Sequence, residues 1–396
     1  MFVGEPFARY TRPVKKTSKL ILVLAVAACL LLSACASPAS TGLLVRLPSR
    51  AADKTPSFSS EIVVGVALRD QAPDDMDSSL KLSRGALLQH YLAATGVTPV
   101  MSFANYANSS FEDQSKQVRR MIDQGAKIII IEPDYSVSFG AVLARAKKAG
   151  VTVIVIDWLP EKTGDVDVFI GFSACQAGEL QGQALLAGLA VKENGPPWNI
   201  ELFAGSADTE PAVELFRCAM KVLQPKIYDG TLNVLSGETS LEQAATKDWV
   251  PDHAVERLNR LLSQFYQSQA VLDGVLTPNG TIARDVVGVA AASGLPQPVV
   301  TGMGSQPESI NWIAQGKQHS TIFFSDKTLV FEVVKIVKKL LQGEGLTFNS
   351  EVTSGVGEAV VPAYLLTPQL VTRGNLCSGY DLGTEEAQVV AKTGVC

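Results

Sequence analysis

The sequence predicts an α/β protein built as two doubly wound parallel-sheet lobes. Unbroken β-branched apolar runs, KIIIIEP at 127–133 and VTVIVID at 151–157, read as central strands buried on both faces. Amphipathic segments closed by Gly96 and Gly150 alternate with such runs, which implies a parallel sheet with helices on both sides and right-handed crossovers. The number of strand candidates exceeds the ~4–6 strands of a typical single sheet and suits two similar lobes.

The chain has 396 residues, of which 46% are apolar and 18% charged, a globular composition with room for two domains. Its first 34 residues read as a signal peptide. Arg9, Arg12, Lys15, Lys16 and Lys19 form a basic start, and Leu20 to Leu32 an apolar core shorter than the ~20 residues of a spanning helix. The segment ends in Leu32, Ser33, Ala34 and Cys35, which resembles the bacterial lipobox. Cys35 is then the lipidated N-terminus and fixes the protein, outside the cytoplasm, to a membrane. Residues 35–60, rich in Ala, Ser, Thr and Pro, form a tether with a reach of roughly 25–30 Å by random-coil scaling.

The formal net charge is −5, and removing the basic start makes the rest more acidic still, which argues against nucleic acid as a partner. Four cysteines remain beyond Cys35: Cys175, Cys218, Cys377 and Cys396. In an oxidising compartment they allow three pairings, and without CxxC or His-spaced partners no zinc site is indicated. The Gly-containing tail segment favours Cys377 with Cys396. Cys175 and Cys218 lie on helices following consecutive elements of one lobe, which favours that pair.

From Glu61 the strand candidates are 62–68, 98–104, 127–133 and 151–157, separated by helices over 78–95, 110–124 and 137–148. A second set follows: helix 174–192, strand 199–205, helix 210–223, strand 231–236, a helix opened by Pro251 at its first position, strands 270–277, 298–303 and 320–324, and a last long helix over 326–341. At the carboxyl end of 151–157 stand Asp157 and Trp158. Ligands of open α/β sheets collect at such ends, and an acceptor beside a flat aromatic face suits a polyhydroxylated ring.

The stretches VGVAL (64–68), KIIIIEP, VTVIVID, GPPWNIELFAGSADTEPA (195–212), AMKVLQP (219–225), WVPDHAVERLNRLLSQFY (249–266), VLTPNG (275–280), PVVTG (298–302), STIF (320–323) and VVPAYLLTP (360–368) occur in that order. Together they resemble the periplasmic sugar-binding proteins of ABC importers, of the xylose and multiple-monosaccharide type. The resemblance implies the periplasmic binding protein type I fold: two lobes joined by a three-crossover hinge that close on a ligand. The crossovers fall at 169–173, 277–280 and 323–326. Lobe 1 is then 61–169 plus 280–323, lobe 2 is 170–279 plus 324–371, and 372–396 is a C-terminal tail.

The ligand wall implied is Asp70, Gln71, Asp134, Asp157 and Trp158 from one side, with Ser173, Asp208, Glu210 and Asn279 from the other lobe or the hinge, and Phe324 at a crossover. The family's Asp-Arg is Asp157-Trp158 here, its Phe-Asp-Asn is Phe172-Ser173-Ala174, and its Lys after STIF is Phe324. These changes remove charged anchors and make a less polar, non-sugar ligand the alternative. The role implied is a monomeric, extracytoplasmic, lipid-anchored sugar-binding component working with an ABC permease, without cofactor or metal. A sensor acting with a membrane receptor is the other reading. Enzyme chemistry finds little support. His90, His253 and His319 stand in helical or strand contexts, GFSAC at 171–175 lacks the second glycine of a nucleophile elbow so that Ser173 reads as a helix cap, and Asp74, Asp75 and Asp77 lack calcium-loop spacing.

Overall fold

The computed structural model describes residues 43–45, 62–69, 83–103, 111–133, 139–160, 164–267, 270–353 and 359–396. The stretch read as a signal peptide, Cys35, Asp70, Gln71, Asp134 and the Asp74–Asp77 cluster lie outside them. In chain order, β1 (Leu43–Val45) is followed by β2 (Val63–Leu68), α1 (Arg84–Ala93), β3 (Thr98–Phe103), α2 (Phe111–Asp123), β4 (Ile128–Ile131), α3 (Gly140–Ala149), β5 (Thr152–Ile156) and β6 (Val168–Phe172). Strands β2 to β6 are parallel in the order β6-β5-β4-β2-β3. The apolar runs are unbroken because each strand feeds two cores. Ile128, Ile130, Ile154 and Ile156 pack on one side of the sheet, whereas Ile129, Ile131, Val153 and Val155 pack against α2 and α3 on the other.

The chain then leaves this sheet. It continues through α4 (Ala174–Ala190), β7 (Trp198–Leu202), α5 (Glu210–Tyr228), β8 (Leu232–Asn233), α6 (Leu241–Ala244), α7 (Pro251–Phe265), β9 (Gly274–Leu276), α8 (Gly280–Ala292), β10 (Val299–Val300), α9 (Pro307–Ala314) and β11 (Ser320–Phe323). The second parallel sheet has the order β10-β9-β7-β8, and a Met303–Ile322 bridge brings β11 alongside.

Helix α10 (Asp326–Leu341) returns to the first lobe, where Leu329, Val330, Val333 and Ile336 share a core with Val64, Val66 and Leu88. There β12 (Leu346–Phe348) pairs with β1, and β13 (Ser350–Thr353) and β14 (Val360–Leu366) extend the first sheet, β14 lying parallel to β6. The chain crosses once more to β15 (Gln369–Thr372), antiparallel to β11. It ends in α11 (Glu385–Lys392), which packs with the tail residues Leu376 and Tyr380 around Ile310 and Ile313 of α9.

This arrangement corrects the expected lobe boundaries. Residues 280–323 belong with the second sheet and 324–366 with the first. The chain does not cross at 277–280, because α8 buries Ile282, Ala283, Val286 and Val287 against Leu258, Leu261 and Val275 of the second lobe. The three crossovers are Phe172–Ser173, Phe324–Ser325 and 367–368. The sequence reading passed over β6 and β14, and also β12, β13, β15, α6, α9, α11 and β1, which lies in the stretch read as tether.

The second lobe is stapled. Helices α4 and α5 approach so closely that a Cβ on Gly178 would lie 2.0 Å from the Leu215 carbonyl oxygen, and one on Gly182 2.9 Å from Val222. Cys175 bonds to Cys218 across this seam and Cys377 to Cys396 in the tail, the pairings the spacing favours. Closing a loop of the size between Cys175 and Cys218 stabilises by about 4 kcal/mol in the chain-entropy account.

Candidate ligand site at the hinge

In the first lobe the polar residues gather where β2, β4 and β5 end. Arg84 opens α1 after the cap Ser83, whose hydroxyl accepts from the Ala86 amide at 3.3 Å. A cation in the first turn opposes the helix dipole, and no acid stands beside it in that turn to offset this. The offset comes from elsewhere in the fold. The Arg84 guanidinium lies 2.9 Å from Glu132, 2.5 Å from Asp157 and 2.6 Å from Asp326. Burial alone would lower its pKa, but the fields of Asp157, Asp326 and Glu132 outweigh burial and raise it well above the usual value. Glu132, 2% exposed, also lies 3.5 Å from Arg69. Asp157 and Asp326 keep 28% and 43% of their side chains open to solvent.

Asp157 owes its position to an unusual backbone. Its φ is 62°, and the Trp158 amide bonds back to the Ile156 carbonyl at 2.7 Å, closing a three-residue γ-turn at the end of β5. Strain of this kind collects at functional sites. Trp158 follows, half-buried.

The hinge adds two aromatics. Phe172 and Phe324, on separate crossovers, stack with centroids 4.9 Å apart, and the Ser173 amide donates to the Leu366 carbonyl at 2.9 Å. Since β6 and β11 both run into the hinge at their carboxyl ends, the ligand-binding edges of the two sheets meet there. On the second lobe the segment after α6 bridges the end of β7 through Ala204 and Ala245, and Asp248 and Trp249 both have positive φ. The Trp249 ring then lies over Gly205, where a Cβ would stand 2.2 Å from it. The Ser206 hydroxyl accepts from the Asp248 amide at 3.0 Å and pins the turn.

Residues 85–345 match the model of the periplasmic binding protein domain. The chain belongs to that family. Among its relatives, the multiple sugar-binding periplasmic receptor ChvE of Rhizobium radiobacter is 35% identical, over 68% of this chain and 77% of its own. The D-xylose-binding periplasmic protein of Escherichia coli is 28% identical over 69% and 78%. A solute-binding protein of an ABC transporter from Clostridium phytofermentans, solved with β-D-glucose, superposes with a TM-score of 0.65 at 29% identity, covering 80% of this chain and 95% of that one. The fold is the periplasmic binding protein type I architecture.

Against this family fold, the residues expected in the ligand wall divide. Asp157, Trp158, Ser173 and Phe324 stand at the first-lobe edge and the hinge. Asp208 is exposed between β7 and α5, Glu210 is exposed at the first position of α5, and Asn279 caps α8 after β9. Two of these have structural duties. The Ser173 hydroxyl accepts from the Gln176 amide at 3.2 Å and the Asn279 side-chain oxygen Oδ1 from the Ile282 amide at 2.8 Å, capping α4 and α8. The first-lobe edge also carries a charged cluster that includes Arg84, Glu132 and Asp326, which the sequence reading did not single out. A basic residue directly after a helix cap is a local mismatch that could have drawn attention to Arg84. For Trp249 the signal was its place just before Pro251 at the start of α7. Among the described residues Cys175, Cys218 and Glu214 have metal-binding chemistry, but the two sulfurs are bonded to each other. No described helix is long and apolar enough to cross a membrane.

Proposed function

We propose that the protein is an extracytoplasmic substrate-binding component of an ABC importer that captures a sugar between its two lobes. The observation that carries this reading is the Arg84 cluster beside Trp158. Carboxylates held in place by a guanidinium accept hydrogen bonds from hydroxyl groups, and an indole offers a flat apolar face to the carbon side of a ring. The relatives add support, being named for binding several sugars or D-xylose, or solved with glucose. In this reading Asp157 and Trp158 grip the ring from the first lobe with Arg84 and Asp326. Phe324 and Ser173 border the ring at the hinge, and Asp208, Glu210 and Asn279 approach from the second lobe. The charged cluster favours a sugar over a less polar ligand.

Cys35 carries a lipid that holds the protein at the membrane, and a permease receives the closed form. Mass spectrometry of the native protein tests the anchor, with an acyl-modified peptide beginning at Cys35 as the expected result. For the ligand, the mature protein is screened by thermal shift against aldopentoses, aldohexoses, polyols and apolar glycosides. A ligand at 100 times its Kd adds about 2.7 kcal/mol of stability, which is easily read. Stabilisation by D-glucose or D-xylose supports the proposal, whereas stabilisation by apolar glycosides alone, or by nothing in the set, refutes it.

A further inference from the structure

The second crossover is held from behind by the C-terminal tail. Ser325, 2% exposed, caps α10 by accepting from the Thr328 amide at 3.1 Å, and its hydroxyl donates to Asp381. Asp381 is itself fixed, because its backbone carbonyl accepts from the Thr384 hydroxyl at 2.8 Å and the Thr384 amide at 3.3 Å. One residue before the crossover, Phe323 meets Tyr380 edge to face at 4.8 Å. Further along the tail, Glu386 accepts from the Ser305 hydroxyl at 2.8 Å, and the Cys377–Cys396 disulfide closes the segment on itself.

The residues so held are those that reach the site. Phe324 stacks on Phe172 of the first crossover. Asp326, next to Ser325, accepts from both Nε and Nη2 of Arg84 at 2.8 and 2.6 Å. The carboxylates of Asp326 and Asp381 both lie at the amino end of α10, where the helix dipole favours negative charge. The tail packs in the core of the second lobe around Ile310 and Ile313, while α10 packs in the core of the first. The Ser325–Asp381 bond therefore ties the start of a first-lobe helix to a second-lobe segment.

We propose that Asp381 is a positioning residue for ligand capture: through Ser325 it holds the second crossover so that Asp326 faces Arg84, and so sets how far the lobes open. The inference rests on the sugar-binding reading for its effect on affinity, but its effect on lobe opening exists without ligand. Asp381 touches neither the ligand nor Arg84 in this scheme.

The test uses the full mature chain with non-thiol fluorophores at Lys148 on α3 and Asn259 on α7, both exposed, leaving the disulfides intact. Distance distributions between the lobes are recorded by single-molecule energy transfer without ligand, and D-glucose affinity by calorimetry. D381A and S325A are each expected to broaden the unliganded distribution and to weaken affinity about tenfold, the scale of an ordinary coupling between sites. The double variant is expected to lose no more than S325A alone, since S325A already removes the bond to Asp381 together with the Thr328 cap. D381N keeps an oxygen that accepts from Ser325 and is expected to restore the wild-type distribution. That rescue separates positioning from a general loss of tail stability, and it remains readable should D381A fail to fold. An unchanged distribution in S325A, or fully additive losses in the double variant, overturns the inference. A wild-type chain that ignores sugars overturns the ligand reading instead, and the unliganded distances then decide this one alone.

Discussion

Arg84 in the first lobe and Glu201 in the second both carry buried ionisable groups, and the fold satisfies them in opposite ways. Arg84 is surrounded by opposite charge from three separate segments, at the ends of β4 and β5 and the start of α10. Glu201, fully buried within β7, is held mainly by neutral donors: the Ser236 hydroxyl at 2.6 Å, the Tyr266 hydroxyl at 2.8 Å and the Ser236 amide at 3.3 Å. Burial pushes the Glu201 carboxyl upward despite these bonds, whereas the carboxylates around Arg84 hold that cation firmly charged. Neutral donors suffice for a group that only locks β7 to its surroundings. Full charge suits a group that, in the proposed binding role, holds carboxylates ready for a ligand.

The contrast is broken most severely by Arg84→Met. It leaves Glu132 buried beside two further carboxylates, and losing one partner of such a group typically costs about 3–5 kcal/mol. A large drop in the urea midpoint together with loss of sugar binding is expected. Retained binding would show that the cluster only supports the fold. Trp158→Ala comes next. Truncating an aromatic anchor costs about 2 kcal/mol, roughly thirtyfold in affinity, and titration calorimetry should read this with an unchanged unfolding midpoint. A depressed midpoint with unaltered affinity would assign Trp158 to packing between the lobes.

The smallest effect belongs to Glu201→Gln. Because burial raises the folded-state pKa of Glu201 above its unfolded value, its contribution to stability is fully present below the unfolded carboxyl value and is lost as pH rises through the folded one. The glutamine variant lacks that titration. Its unfolding midpoint relative to the wild type should climb as pH rises from acid to neutral and then level off. A difference that falls with pH would mean that Glu201 is held by charge, as Arg84 is.

How much of this was legible in the sequence depended on range. The first-lobe strands could be read because Ile128–Ile131 and Val153–Ile156 are apolar at every position, a local signature of burial on both faces. The disulfides followed from where four cysteines fell. The resemblance placed a crossover at 323–326, but the direction of the exchange at Phe324–Ser325 was not readable, because nothing local tells α10 which sheet it will cover; that is settled by Leu329, Val330 and Val333 meeting Val64 and Leu88 far back in the chain. In the site, Asp157 and Trp158 stood out as a polar pair ending an apolar run. Arg84 did not, since its partners lie 48, 73 and 242 positions away. Asn279 and Ser173 have side chains already engaged in capping α8 and α4.

The seam between α4 and α5 limits how this sequence can drift. What excludes a side chain at Gly178 is the carbonyl oxygen of Leu215, part of the opposite helix itself and not a side chain that a second substitution could shorten. Accommodating even alanine there means moving the helices apart, and separation strains the Cys175–Cys218 link three residues away. Changes at 175, 178, 182 and 218 are therefore coupled in their fitness effects. A mutational scan of this lobe would find the helix pair, not the single residue, to be the unit that varies.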